Sequence, residues 1–134
     1  MSVCKVKKLM FSIEPKEIKS SESVNSNGVI MTFYVFLFKG GLRTSELSKE
    51  YLDRFVNWAK MVSSPKIPGN RFKQEGKVVS SEGVDDLKFN KDTVGGYIVV
   101  EADDYGTAVE ISKGCPILEN AGSVEIREIV PPNA

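Results

Sequence analysis

The chain has 134 residues, of which 41% are hydrophobic and 27% charged, the size and composition of one globular domain and too little for two. Eighteen Lys and Arg balance eighteen Asp and Glu, so no net basic field points to nucleic acid or to an anionic membrane as partner. Histidine is absent, which removes the commonest proton shuttle and metal ligand near neutral pH and excludes Ser-His, Cys-His and His-metal mechanisms.

The two cysteines, Cys4 and Cys115, stand far apart in the chain, so neither a disulfide framework nor a four-cysteine zinc site can be built, and a reducing, cytoplasmic setting is expected. Lys5, Lys7 and Lys8 precede the short apolar run Leu9 to Ile13, which Ser12 interrupts and Glu14-Pro15 stops. That run is too short for a signal-peptide core. No window approaches the roughly 20 apolar residues of a membrane span, and the expected protein is soluble and unexported.

Val3 to Ile13 reads either as an extra edge strand or as a frayed extension. Residues 16–28, KEIKSSESVNSNG, carry only two aliphatic side chains and read as a linker or long loop. The expected division is therefore an N-terminal extension over 1–28 and a folded domain over 29–134.

Val29 to Phe38, VIMTFYVFLF, is a strand rich in β-branched and aromatic residues. Alternation puts Phe33, Val35 and Leu37 on one face and Tyr34, Phe36 and Phe38 on the other. Both faces are apolar. One layer of helices covers one face of an antiparallel sheet, so something else must cover the second, and a second copy of the chain is the economical choice.

Lys39-Gly40-Gly41 ends this strand, and Thr44 or Ser45 is the expected cap of a helix from Glu46 to Ser63 with Leu47, Tyr51, Leu52, Phe55, Trp58, Ala59 and Val62 at helical spacing. Glu50 and Arg54 fall four apart on its polar side. Trp58 is expected to pack on the sheet in preference to a ligand. Pro65, Pro68 and Gly69 break the helix, and Arg71 to Phe72, Lys77 to Ser80 and Val84 to Phe89 read as short strands or hairpin arms.

After Gly95-Gly96, Tyr97 to Ala102 forms a second strong strand. Asp103 or Asp104 then caps a helix with Tyr105, Ala108, Val109 and Ile111, ended by Gly114 and Pro116. Val124 to Val130 is the last strand, with Val124 and Ile126 opposite Glu125 and Arg127. The order strand, helix, strands, strand, helix, strand is the split βαβ pattern of a ferredoxin-like α+β sandwich.

Gly95 to Asp103, Ala108-Val109-Glu110, Gly114-Cys115-Pro116-Ile117-Leu118 and Ser123 to Arg127 together resemble the C-terminal half of YCII-related proteins, also called the DGPF-domain family. The strand ending in Phe38-Lys39-Gly40 and the Trp58-bearing helix also suit it. The resemblance implies a ferredoxin-like protomer that pairs its sheet with a second copy into a dimeric α+β barrel with a cleft in each protomer. Relatives commonly carry Asp-Gly-Pro-Phe ahead of the GGY strand, whereas this chain reads Asp85-Asp86-Leu87-Lys88-Phe89-Asn90. Relatives that look like enzymes face the cleft with a His-Asp pair. This sequence holds no histidine, so no residue carries over as catalytic.

Arg127 and Glu125 share one face of the last strand and either hold an anionic ligand through the guanidinium fork or form an ion pair at a sheet edge or dimer seam. Tyr97 is a candidate hydroxyl donor in the same cleft, with packing as its plainer role. Lys39, Arg43 and Arg71 would make a basic rim for small anions, or ordinary solvated charge. Asp86 matches the family's Asp by position alone. Cys115 reads as a small buried hydrophobe because a helix C-terminus disfavours thiolate. The Gly-Gly pairs at 40 and 95 lack a phosphate-loop pattern and read as turn or bulge glycines.

The expected protein is a homodimer that binds a small, anionic organic molecule, with no metal or organic cofactor and no nucleic-acid or membrane partner. The alternatives are a cofactor-independent isomerase, lyase or monooxygenase acting through Tyr97, Asp86 or Arg127, and an interaction module linked to transcription regulation.

Overall fold

The computed structural model describes residues 22–24 and 30–131; Cys4 and the segment Val3 to Ile13, read as an edge strand or a frayed extension, lie outside them. The fold is α+β. In chain order it runs β1 (Glu22–Val24), β2 (Ile30–Lys39), a 3-10 turn (Thr44–Glu46), α1 (Lys49–Val62), β3 (Asn70–Arg71), β4 (Lys77–Ser80), β5 (Gly83–Asp86), β6 (Val94–Ala102), α2 (Tyr105–Ser112), a second 3-10 turn (Pro116–Asn120) and β7 (Ser123–Glu128). β1 falls inside the segment that composition alone reads as linker.

β2 is the central strand. It pairs antiparallel with β6 along one edge, from Thr32↔Ala102 to Lys39↔Val94. Along the other edge it pairs with β7 from Tyr34↔Glu128 to Lys39↔Ser123, and with β1 at residues 30–32. β3 adds to the far edge of β6. The order β7-β2-β6-β3, with α1 and α2 as crossovers, is the split βαβ arrangement read from the sequence. β4 and β5 form a separate two-stranded hairpin closed at Ser81-Glu82.

The two faces of β2 divide as alternation predicts. Tyr34, Phe36 and Phe38 join Ile98, Val100, Ala102, Trp58 and Ala108 in one buried cluster, with Val124 and Ile126 packed on it. Phe36 and Val100 are fully buried, each contributing about 1.5–3 kcal/mol through removal from water. Trp58 belongs to this core, its ring 6.0 Å from those of Phe38 and Phe55. On the opposite face Phe33 and Val99 are 4% and 2% exposed within a single chain, while Val35 and Leu37 are half-buried.

The first helix starts later than its sequence suggests. Thr44, Ser45 and Ser48 are all cap-forming types, and Ser48 prevails because its Oγ accepts from the Tyr51 N–H (3.1 Å) in the register that seats Tyr51 and Trp58 on the sheet. Upstream, the Arg43 N–H donates to Glu46 Oε1 (2.7 Å) and Thr44–Glu46 closes as a 3-10 turn. The expected Glu50–Arg54 pair is also replaced. Arg54 makes a two-point contact with Glu119 (2.8 and 2.9 Å), and the i,i+4 pair on this helix is Lys49–Asp53. That contact ties the 3-10 turn at Pro116–Asn120 to α1. Asp104 caps α2, accepting from the Thr107 N–H (2.8 Å).

Candidate functional site

The helix-facing row of β2 ends in Phe38 and Gly40, and that of β6 begins at Gly96 and Ile98. Phe38 lies opposite Gly96, and the register shifts between Phe38 and Lys39. Gly40 adopts φ +70°, and its N–H donates to Thr93 O (2.9 Å), a backbone that side-chain-bearing residues rarely take. Gly96 permits a close approach: a Cβ there would stand 2.8 Å from Asn70 O and 3.1 Å from Arg71 Cα. The two glycines therefore hold β3 and the β2 end in place while putting no side chain into the space beneath α1.

That space is a cavity of about 390 Å³, within the range of small-molecule sites. α1 roofs it with Tyr51, Phe55, Ala59 and the row Leu52, Val56, Lys60. The loop before α1 supplies Leu42, Thr44 and Leu47, and the facing wall comes from Asn70, Arg71, Phe72, Gln74 and Phe89. The Thr44 N–H donates to Gln74 Oε1 (3.0 Å) and bridges the two walls. The lining is mainly apolar. Its charged side chains among the described residues are Lys60 and Arg71, with no carboxylate in that lining.

The predicted site residues separate into three places. Arg71 pairs with Gly96 across β3 and β6, so it shares the helix-facing side and lines the cavity. It makes no ion pair with the described residues. Arg43 stands just outside, its guanidinium 5.0 Å from the centre of the Phe89 ring. Tyr97 contributes to the lining and stacks at 6.0 Å on Phe72, yet alternation with Ile98 turns it toward the opposite face of the sheet.

Glu125 and Arg127 lie on that opposite face, across from Leu37 and Val35. Lys39 joins them there: its Nζ donates to Glu125 Oε1 (3.0 Å), and Arg127 stands 4.0 Å from Glu125. The basic rim of Lys39, Arg43 and Arg71 is thus split by the sheet. Asp86 sits on the exposed hairpin, paired with Lys77, and lines nothing in the cavity.

Lys60, Phe72 and Phe89 escaped the sequence reading. The available signal was Val56, an apolar residue four before Lys60 on the outer side of α1, which remains 41% exposed at the cavity. Tyr51 lines the cavity, while its hydroxyl, raised above its ordinary value by burial, meets the Asn120 side chain. Burial pushes the Cys115 thiol up to about 11, in keeping with a hydrophobe and not a nucleophile. Among the described residues no group of three or more His, Cys, Asp or Glu is placed to hold a metal ion, and no helix is long and apolar enough to cross a membrane.

Residues 15–133 match the model of the YCII-related domain. The chain belongs to the YCII-related family. No curated protein matches it. In this YCII-related chain the Asp85–Asn90 segment forms the end of the second arm of the β4–β5 hairpin and its return. There the Leu87 N–H donates to Gly76 O (2.8 Å) and brings Phe89 back to the cavity wall.

Proposed function

We propose that this YCII-related protein binds a small organic anion in the cavity beneath α1. The observation that carries the reading is a mainly apolar pocket whose charged lining residues among the described ones, Arg71 and Lys60, are both cations, with no carboxylate in that lining. A guanidinium at an apolar wall favours a carboxylate, which it can hold with two parallel hydrogen bonds. A monoanion suits the site better than a phosphate dianion, because desolvating a second charge in apolar surroundings is costly.

Calorimetric titration of organic carboxylates and their neutral amides tests the reading. The carboxylates bind once per chain, and Arg71→Ala weakens them by roughly 10- to 100-fold, the loss of a charge-assisted hydrogen bond. Absence of carboxylate binding, or an Arg71→Ala variant that binds as wild type, contradicts it.

The chain works as a cytoplasmic homodimer, paired through the sheet face opposite the helices. Half-buried Val35 and Leu37 and the Lys39–Glu125–Arg127 charges beside them support that surface as the seam. Sedimentation equilibrium of wild type and of Leu37→Glu decides it. A wild-type dimer that the variant dissociates agrees, and a wild-type monomer overturns it.

A further inference from the structure

Six residues of the cavity lining carry benzene rings, and they come from different parts of the fold: Phe38 from β2, Tyr51 and Phe55 from α1, Tyr97 from β6, and Phe72 and Phe89 from the segments flanking the hairpin. On the helix side they already meet edge to face, Phe38 and Phe55 at 5.0 Å and 84°, Tyr51 and Phe55 at 6.1 Å and 64°. Phe89 stands on the facing wall, while Phe72, 47% exposed, packs its ring on Tyr97.

The chain neighbour of Phe72 is Arg71, which lies on the helix-facing side across from Gly96. Alternation turns the Phe72 ring the other way, where it packs on Tyr97 at 6.0 Å, so Arg71 is the side chain of the two that turns toward the α1 rings. The volume of about 390 Å³ equals roughly a dozen waters at about 30 Å³ each, enough for a bicyclic ring with one polar substituent.

We propose that the ligand class of this cavity is an aromatic monocarboxylate, its ring system between the α1 rings and Phe89 and its carboxylate on Arg71. This rests on the reading of the cavity as an organic-anion site and specifies which anion. An alkyl chain of equal size gains only from leaving water. A flat ring gains edge-to-face pairs in addition, each multiplying affinity by a factor of roughly 2 to 10.

The test titrates the full chain with 1-naphthoate, decanoate and 1-naphthamide. Expected are 1-naphthoate binding at least about tenfold tighter than decanoate, weak 1-naphthamide binding, and a Phe89→Leu variant in which the naphthoate preference collapses while decanoate affinity holds. Equal affinity for 1-naphthoate and decanoate overturns the aromatic assignment and leaves the anion site standing. Binding of neither carboxylate overturns the anion site itself, and 1-naphthamide binding as tightly as 1-naphthoate removes the role of Arg71. Loss of 1-naphthoate binding as protein concentration rises would assign the cavity to a second copy of the chain and overturn the proposal.

Discussion

Phe38 of β2 stands directly across from Gly96 of β6, so a large ring and an absent side chain form one cross-strand pair on the side of the sheet that faces α1. The ring anchors the core against Phe55 and Trp58. The missing side chain opens the space beside it and lets β3 bring Arg71 to its edge.

Adding one methyl group at that position therefore disturbs both roles. In Gly96→Ala the new Cβ would meet Asn70 O at 2.8 Å, and β3 must shift to admit it. The expected cost is about 1–3 kcal/mol, as for overpacking elsewhere, read by urea unfolding, together with weaker binding of organic carboxylates. An unchanged midpoint would mean that β3 does not depend on glycine at 96.

Arg71 should matter to binding and not to folding. It is exposed and lacks an ion pair among the described residues, so Arg71→Ala is expected to alter unfolding free energy by no more than about 0.5 kcal/mol. Raising the salt concentration should weaken carboxylate binding to wild type far more than to the variant. A variant that is strongly destabilised would give Arg71 a structural role that its surroundings do not suggest.

The Arg54–Glu119 contact predicts a pH window. The guanidinium holds the Glu119 carboxyl below its usual range, and the Thr107 N–H does the same for Asp104. A carboxyl with a lowered folded value adds stability above its unfolded pKa, and the contribution disappears as pH falls through the folded value. The melting temperature of Glu119→Gln is accordingly lower than that of wild type at pH 7, and the gap closes in the acid range below about pH 4. A gap of the same size at pH 3 and pH 7 would show that the ion pair is not its source.

Much of this fold was legible in the sequence because its strands are long and two-faced. Alternation over Phe33 to Phe38 separated the two faces correctly, Gly40 marked the end of β2, and Gly95-Gly96 fall inside β6 at the register shift opposite Phe38 and Lys39. The start of α1 was not legible, since Thr44, Ser45 and Ser48 are equivalent caps until Tyr51 and Trp58 must reach the core. The site was only partly legible. Arg71 could be named as a cation near a strand end, but Lys39, Arg43 and Arg71 looked like one rim because side-chain direction depends on strand register, which pairing with β6 and β7 decides. Phe89 reaches the cavity only through the return of the hairpin, a long-range effect with no local pattern.

Cys115 offers a check on the core to which Trp58 belongs. Its thiol, pushed up to about 11 by burial, stays protonated and shielded at pH 8. In a Cys4→Ser background the folded protein should resist a thiol reagent and take up one equivalent only when denatured. Its raised folded value also means that stability is full below the ordinary thiol pKa and declines as pH climbs toward 11. Rapid labelling of the folded protein would place Cys115 at the surface.

The cavity beneath α1 is tested most directly by following backbone amides while 1-naphthoate is added to isotope-labelled protein. The account predicts saturable shifts centred on Gly40, Gly95, Gly96 and Phe72, with Glu125 and Arg127 across the sheet left in place. Shifts centred on Glu125 and Arg127, or no saturable shift anywhere, would contradict it.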